Sequence, residues 1–534
     1  MSLQLHPVSA VGRALHGIVH LHPRLPTGDW RPYVGIFGVL LGSIMGTLGS
    51  RATSFGLTDL RGGLHAGFDE GAWITTSYGI GQMLVGVASP YLGAVFGARR
   101  VLLLGIILFF IASLLAPLSD NLQAFVVLLG LAGLGSGTFI PLTISFVIRS
   151  LPARLVLYGL AVYAMNSELS QNVAASLEGW YADNLSWHWL YWQYCVALPL
   201  MFVAIWFGVP REKVNVGLLR SLDWFGLVYA GLGLTLLYAG LDQGNRLDWR
   251  GSGLIVGLFC GGGILTIAFI ARELTTPRPF LNLRLMLRGN LLLLMLALAG
   301  FRFIILSTAY IIPTYLQAVQ NFRELQVGQV LLWIALPQLA IVVPLAWLLR
   351  RVDGRIVLGF GTMLIGIACV MAGDLTAEWA TNDFLPSQIL QAIGQSFALT
   401  ALIVLLVRSI VPAEALTIGC LLQISRLFGG EIGTAFMQTL IRMREQTHSN
   451  LIGLHVVDGA VLTTDRLAAY AGRVGAHMAD PATATAQAHK LLSSAISAQA
   501  NVLAYADGFG AAALGAFGCL VLVALMRRGP ASSF

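Results

Sequence analysis

Apolar residues in this chain come in long unbroken runs rather than in the alternating pattern of half-buried strands. Val101–Leu115, Leu291–Gly300 and Leu331–Leu349 are examples. Runs of roughly 18 to 25 such residues have the length that carries a helix across a hydrocarbon core about 30 Å thick. A membrane β-barrel would instead show segments of about ten residues alternating apolar with polar. The predicted spans are 33–57, 71–92, 101–117, 122–148, 153–178, 187–208, 224–241, 252–271, 290–317, 326–349, 356–376, 384–409, 413–441 and 502–527. The fifth stands apart, because Asn166, Ser167, Glu168, Ser170, Gln171 and Asn172 share one stretch. A helix that polar is excluded from lipid and lines a protein interior or a watery cavity. The expected fold class is all-α integral membrane, about fourteen transmembrane helices.

Repeated halves with a midplane site are a common plan for such chains, and the spans divide accordingly. The expected parts are an N-terminal tail 1–32, a six-helix bundle 33–208, a linker and inserted helical hairpin 209–271, a second six-helix bundle 272–527, and a tail 528–534. The second bundle carries one long outer loop, 442–501, polar and Ala-rich. It reads as one or two amphipathic helices (Thr464–Tyr470, Thr485–Ala500), and a loop of that length implies a task.

Composition agrees with the membrane reading: 57% of residues are hydrophobic and 11% charged, against about 25% charged in soluble proteins. The net charge of +7 does not point to nucleic acid once the arginines are placed. Arg99/Arg100, Arg149/Arg154, Arg211/Lys213/Arg220, Arg272–Arg288, Arg350/Arg351/Arg355 and Arg527/Arg528 fall in alternate loops. The intervening loops carry Asp59/Asp69/Glu70, Asp183, Asp242/Asp248 and Asp374/Glu378/Asp383. The positive-inside rule makes the arginine side cytoplasmic, with both termini there, in a bacterial inner membrane. Cys195, Cys260, Cys369, Cys420 and Cys519 lie in apolar segments, so neither disulfides nor a metal site is expected. The first ~30 residues lack the apolar core and cleavage site of a signal peptide.

Several fragments resemble the EmrB/QacA branch of the major facilitator superfamily. Trp73-Ile-Thr-Thr-Ser-Tyr78 is similar to its W-x-x-T-x-Y/F signature, and Gly137-Thr-Phe-Ile-Pro141 to its G-P-x-x-P turn. Trp187-His-Trp189 and Asp223-Trp-Phe-Gly226 resemble its W-x-W and D-W-x-G fragments. So do Arg278-Pro-Phe-Leu-Asn-Leu-Arg284, Ile312-Pro-Thr-Tyr-Leu-Gln317, Arg426-Leu-Phe-Gly-Gly430 and Ala504-Tyr-Ala-Asp507, all in the branch's order. The resemblance implies the major facilitator fold and drug:proton antiport. The long outer loop, similar to that of EmrB members, implies a periplasmic adaptor protein and an outer-membrane channel as partners.

Other motifs of the branch are altered. Its first span reads L-D-x-T-x-x-N; here Leu48-Gly49-Ser50-Arg51-Ala52-Thr53 replaces the acid with Gly49 and places a cation two residues on. The G-x-L-A-D-R-x-G-R-R loop survives as Ala94-Val95-Phe-Gly97-Ala-Arg99-Arg100, without its Asp-Arg pair. Leu129 stands for the fourth-span arginine. The G-P-x-x-G-G motif of span five reads Ala174-Ala-Ser-Leu-Glu178-Gly179.

Ionisable groups inside spans are expensive, about 2.5–3.5 kcal/mol on insertion scales, so each needs a partner or a function. Glu168 is the first candidate to carry a coupling proton, with Glu431 and Glu178 behind it. Arg51 shares a helical stripe with Ser43, Thr47, Ser54 and Thr58. It is a candidate to hold an anionic substrate or to pair with Glu168; a snorkelling arginine is the plainer reading. Glu431 is expected to pair with Arg302 or to titrate, and Glu178 to be solvated near the outer end. Ser54, Tyr78, Gln82, Tyr163, Asn172, Trp333, Gln338, Gln391 and Gln395 are candidate substrate-binding residues, with helix packing the competing role for each. Arg99, Arg100, Pro141, Arg302 and Arg426 are read as structural or gating.

No phosphate-binding G-x-x-x-x-G-K-[ST] loop, Cys/His metal spacing or G-x-S-x-G elbow occurs. The expected function is therefore not enzymatic and needs no cofactor: export of small amphipathic or toxic compounds by alternating access, coupled to protons. An uncoupled facilitator, a specific organic-anion exporter and a non-transporting membrane scaffold or sensor are the rivals.

Overall fold

A computed structural model describes residues 30–277, 279–409, 414–457, 459–475 and 481–527. The tails 1–29 and 528–534, and Arg278 of the family fragment, lie outside the described residues. Among the described residues all regular structure is helical. The long helices are α1 (Arg31–Phe55), α2 (Trp73–Phe96), α3 (Ala98–Leu115), α4 (Leu122–Ser150), α5 (Ala153–Asn184), α6 (Trp189–Gly208), α7 (Trp224–Gly244) and α8 (Gly253–Thr275). Then follow α9 (Leu291–Ala318), α10 (Glu324–Leu348), α11 (Gly354–Ala372), α12 (Leu385–Arg408), α13 (Ala415–Gly453), α14 (Val461–Gly475) and α15 (Pro481–Leu525). Thirteen of these helical segments are long and apolar enough to cross a membrane. The polar α5, at 32 residues, has the length but not the composition.

Two spans are interrupted where the chain removes a backbone donor. Pro141 has no N–H for the carbonyl of Gly137, and α4 breaks into Leu122–Ser136 and Phe139–Ser150. In α9, Ser307–Ile311 forms a π-helical turn just before Pro313. Such turns loosen the ladder and recur at functional positions. The carbonyl four residues before Pro313 belongs to Ala309, and it is free to bond elsewhere.

Close helix contacts rest on small residues, as expected where apolar burial supplies no net drive. A Cβ on Gly133 of α4 would stand 2.1 Å from the Tyr78 carbonyl oxygen of α2, so only glycine permits that approach. The seam between halves is formed by α5 against α10 and α2 against α13, and the hairpin helix α7 packs on α2 and α13. The base of the hairpin is tied by Arg272 to Asp223 at 2.8 Å, while Asp223 also caps the Gly226 amide. Burial raises the Asp223 carboxyl, but the bonds from Arg272 and Gly226 outweigh it and hold the group below its ordinary value.

The seam is closed at both ends. On the acidic side Arg323 pairs with Asp183 at 3.1 Å, and Gly179 lies directly on the backbone of Leu325. On the arginine-rich side Arg350 donates to the Arg154 carbonyl and lies over the Tyr158 ring at 4.6 Å. The Tyr91 hydroxyl donates to the Phe280 carbonyl at 2.6 Å. Contacts thus bridge the seam on both sides.

The outer segment 442–501, expected to carry one or two amphipathic helices, extends the neighbouring spans as helix. α13 runs on to Gly453, and α15 starts at Pro481, with α14 packed against it. At about 1.5 Å per residue, helices of 39 and 45 residues outrun a hydrocarbon core of about 30 Å. They project as a stalk. Ala, frequent in 481–501 and joined there by Leu491 and Leu492, is a strong helix former, which is why helix persists beyond the apolar run. The projecting pair is clamped at Asp507, which accepts from Arg444 Nε at 2.6 Å and His448 Nε2 at 2.7 Å.

Candidate functional site

A narrow cavity lies between the halves. From the first half it is lined by Ile144, Tyr163, Ser167 and Glu168, and from the second by Leu298, Arg302, Leu399, Ile403, Leu406, Leu422 and Arg426. Glu168 is the only carboxyl among its described lining residues. Arg302 of α9 and Arg426 of α13 line the cavity with it, and Arg51 of α1 lies near enough for its charge to act on the carboxyl.

None of these three arginines has a carboxylate within 4.0 Å among the described residues. Each bonds a neutral oxygen instead. Arg51 Nη2 donates to the Ala309 carbonyl at 2.7 Å, the group left free by Pro313. Arg51 therefore bridges the two halves rather than snorkelling, and its expected ion pair with Glu168 is replaced by this bond. Arg302 Nη1 and Nη2 lie 3.3 and 3.2 Å from the Gln171 amide when its oxygen faces them. Arg426 Nε donates to Gln423 Oε1 at 3.3 Å. Arg51 Nε, Arg302 Nε, Arg426 Nη2 and Glu168 Oε1 remain buried without a hydrogen-bond partner.

The altered first-span motif has a local cause. A Cβ on Gly49 would stand 2.4 Å from the Tyr78 hydroxyl, which itself donates to the Gly46 carbonyl at 3.2 Å. Tyr78 fills the room that an acid at position 49 would need. Gln82, also buried, sits on the same helix where it meets the backbone of α4.

Other candidates fall elsewhere. Glu431 does not pair with Arg302; Arg302 lies beside Gly430, and one residue on the Glu431 side chain turns to Tyr238 and Asp242 of the hairpin helix. Glu178 is 0% exposed rather than solvated, with both carboxylate oxygens unbonded. Asn172 donates back to the Glu168 carbonyl at 3.0 Å, a local helix bond. Gln391 bonds Ser307 at 3.1 Å, and Gln395 bonds Thr308 at 3.0 Å and Gln391 at 3.2 Å. That ladder braces the π turn inside the second half, away from the cavity. Gln338 is wholly buried on α10 outside the lining. Trp333, 38% exposed, and Ser54 point away from the cavity, against expectation. Arg99 lies over the Trp206 ring at 4.6 Å and Arg100 is exposed, both on the arginine-rich face. Pro141 sits at the break in α4. Arg302 and Arg426, read as structural, line the cavity. Gln171, which holds Arg302, was signalled by the polar stretch of span five, whereas Gln423, which holds Arg426, stands among apolar residues and gave no signal.

The sequence pattern of the Major Facilitator Superfamily matches residues 39–434. Colistin resistance protein EmrB of Acinetobacter baumannii is 24% identical over 432 residues, covering 80% of this chain and 84% of its own. Multidrug export protein EmrB of Haemophilus influenzae is 24% identical, covering 78% and 82%. Fatty acid resistance protein FarB of Neisseria gonorrhoeae is 24% identical, covering 74% and 78%. Among solved structures, the proton:xylose symporter XylE superposes with a TM-score of 0.54 at 13% identity, over 91% of this chain and 94% of that one. A peptide transporter POT in complex with sulfate gives 0.56 at 15%, over 94% and 97%. With a cavity enclosed between two helical halves and a match over most of its length, the chain belongs to the Major Facilitator Superfamily, in its EmrB/QacA-type branch.

Proposed function

We propose that the protein is a secondary transporter of the multidrug-efflux type, exporting small amphipathic compounds across a bacterial inner membrane by alternating access of the central cavity. The observation that carries this reading is Glu168, the one carboxyl among the described residues lining a cavity between the two halves. A buried carboxyl that faces cations and apolar side chains can trade a proton against a change in its surroundings. Glu168 is the coupling group; Arg302, Arg426 and Tyr163 form the binding surface. The arrangement bridged on both sides is the occluded intermediate, in which neither the Asp183–Arg323 side nor the Arg350 side is open. Family membership does not choose a substrate, since the relatives are named for colistin, fatty acids and multiple drugs. The helical stalk supports docking of a periplasmic adaptor leading to an outer-membrane channel, with both termini cytoplasmic.

The test is efflux of a fluorescent amphipath from energised cells. Wild type should clear the dye, and Glu168→Gln or a collapsed proton gradient should abolish clearance. Clearance that survives both would sink proton coupling. A facilitator is the second reading, favoured by the Tyr78 hydroxyl in place of the first-span acid; its mark is pH-independent flux.

A further inference from the structure

Arginine remains charged in proteins, so the three guanidiniums around Glu168 leave positive charge uncompensated even when that carboxyl is ionised. The neutral oxygens of Ala309, Gln171 and Gln423 supply bonds but no charge. A buried, uncompensated cation is among the most expensive arrangements in a protein interior. Arg426 Nη2 and Arg302 Nε remain without partners beside the cavity. The remaining lining is mainly leucine and isoleucine.

Resting on the transport reading above, we propose that this seam, once the halves part to widen a cavity of only about 20 Å³, takes an organic anion: an amphipathic carboxylate with its head between Arg302 and Arg426 and its body against Leu298, Leu399 and Leu422. Planar guanidiniums match a carboxylate with paired, charge-assisted bonds, and the leucines desolvate an apolar body. Glu168 is then the internal rival of the substrate. Its carboxylate and that of the ligand compete for the same guanidiniums, so the site is selective against cations only to the extent that the arginines outnumber it. Arg51, fixed to Ala309, contributes field rather than contact.

The experiment is equilibrium dialysis of the full-length protein in lipid nanodiscs with three probes of matched shape: 2-naphthoate, 2-naphthamide and 2-naphthylmethylammonium. Wild type should prefer naphthoate. Arg302→Gln and Arg426→Gln should each weaken it about tenfold or more, the scale of one lost charge-assisted bond. Glu168→Gln should tighten naphthoate binding by removing the rival carboxylate. Arg302→Lys and Arg426→Lys, which keep the charge, should retain the preference with reduced affinity, and they serve where a glutamine variant fails to fold. Preference for the ammonium with loss in Glu168→Gln, equal binding of all three probes, or no binding of any of them would overturn the inference. Binding is read without flux, so a wild type that binds naphthoate as expected but moves no substrate would sink the transport reading and leave this one standing.

Discussion

Two polar regions lie within a few turns of each other in this protein and behave in opposite ways. In the second half, Gln391, Gln395, Ser307 and Thr308 bond one another across α12 and the π turn of α9. At the seam, Arg302 rests on the Gln171 amide and Arg426 on Gln423, while Glu168 Oε1, Arg302 Nε and Arg426 Nη2 stay unpaired beside a cavity. Buried polar groups that are bonded within one rigid unit brace that unit. Groups left half-satisfied where two units meet have something to gain from a ligand or from movement. The difference assigns the glutamine ladder to structure and the seam cluster to work.

The largest expected effect is at the seam. Glu168→Gln should lower coupled transport on the order of a hundredfold, the range for loss of a proton-transfer group, with little change in thermal stability. Equal losses of transport and stability would erase the distinction between the regions.

Next in size is Gly49→Asp, which restores the branch's acid against the Tyr78 hydroxyl. Overpacking there should destabilise the protein by about 1–3 kcal/mol, read as a lowered Tm in detergent. An unchanged Tm would show that Tyr78 swings aside readily.

Gln395→Leu sharpens the comparison from the other side. Thr308 keeps its bond to the Ile305 carbonyl but loses the Gln395 amide, and stability should fall by about 1–2 kcal/mol while substrate affinity holds. A loss of affinity without a loss of stability would move the ladder into the site.

The smallest effect belongs to Asp183→Asn, which frees Arg323 at the acidic end of the seam. A half-exposed pair of this kind contributes at most about 1 kcal/mol. The measurable change is faster thiol labelling of Ser176→Cys, a near-isosteric change where α5 meets Gly328 of α10, and unchanged labelling would show that the pair does not hold that end closed.

Much of the fold was legible because lipid leaves little choice: apolar runs long enough to cross must cross as helices, and the polar run Asn166–Asn172 had to be interior. What could not be read was which way single side chains turn. One residue separates Gly430, which packs on Arg302, from Glu431, which faces the hairpin; only the packing of α7 decides it. Trp333 has the chemistry of a cavity residue and the position of a surface one. The helices of the outer segment were expected, but not their continuity with the spans, because hydropathy ends with the apolar run whereas helix propensity in 481–501 does not. The missing first-span acid was visible in the sequence, but its cause, a tyrosine 29 positions away filling the same space, was not.

The most direct test of the account is the change in lumenal pH when substrate is added to everted membrane vesicles carrying wild type, Glu168→Gln or Gln395→Leu. The account predicts proton movement in wild type and Gln395→Leu and none in Glu168→Gln. Proton movement that persists in Glu168→Gln, or disappears in Gln395→Leu at normal expression, would contradict it.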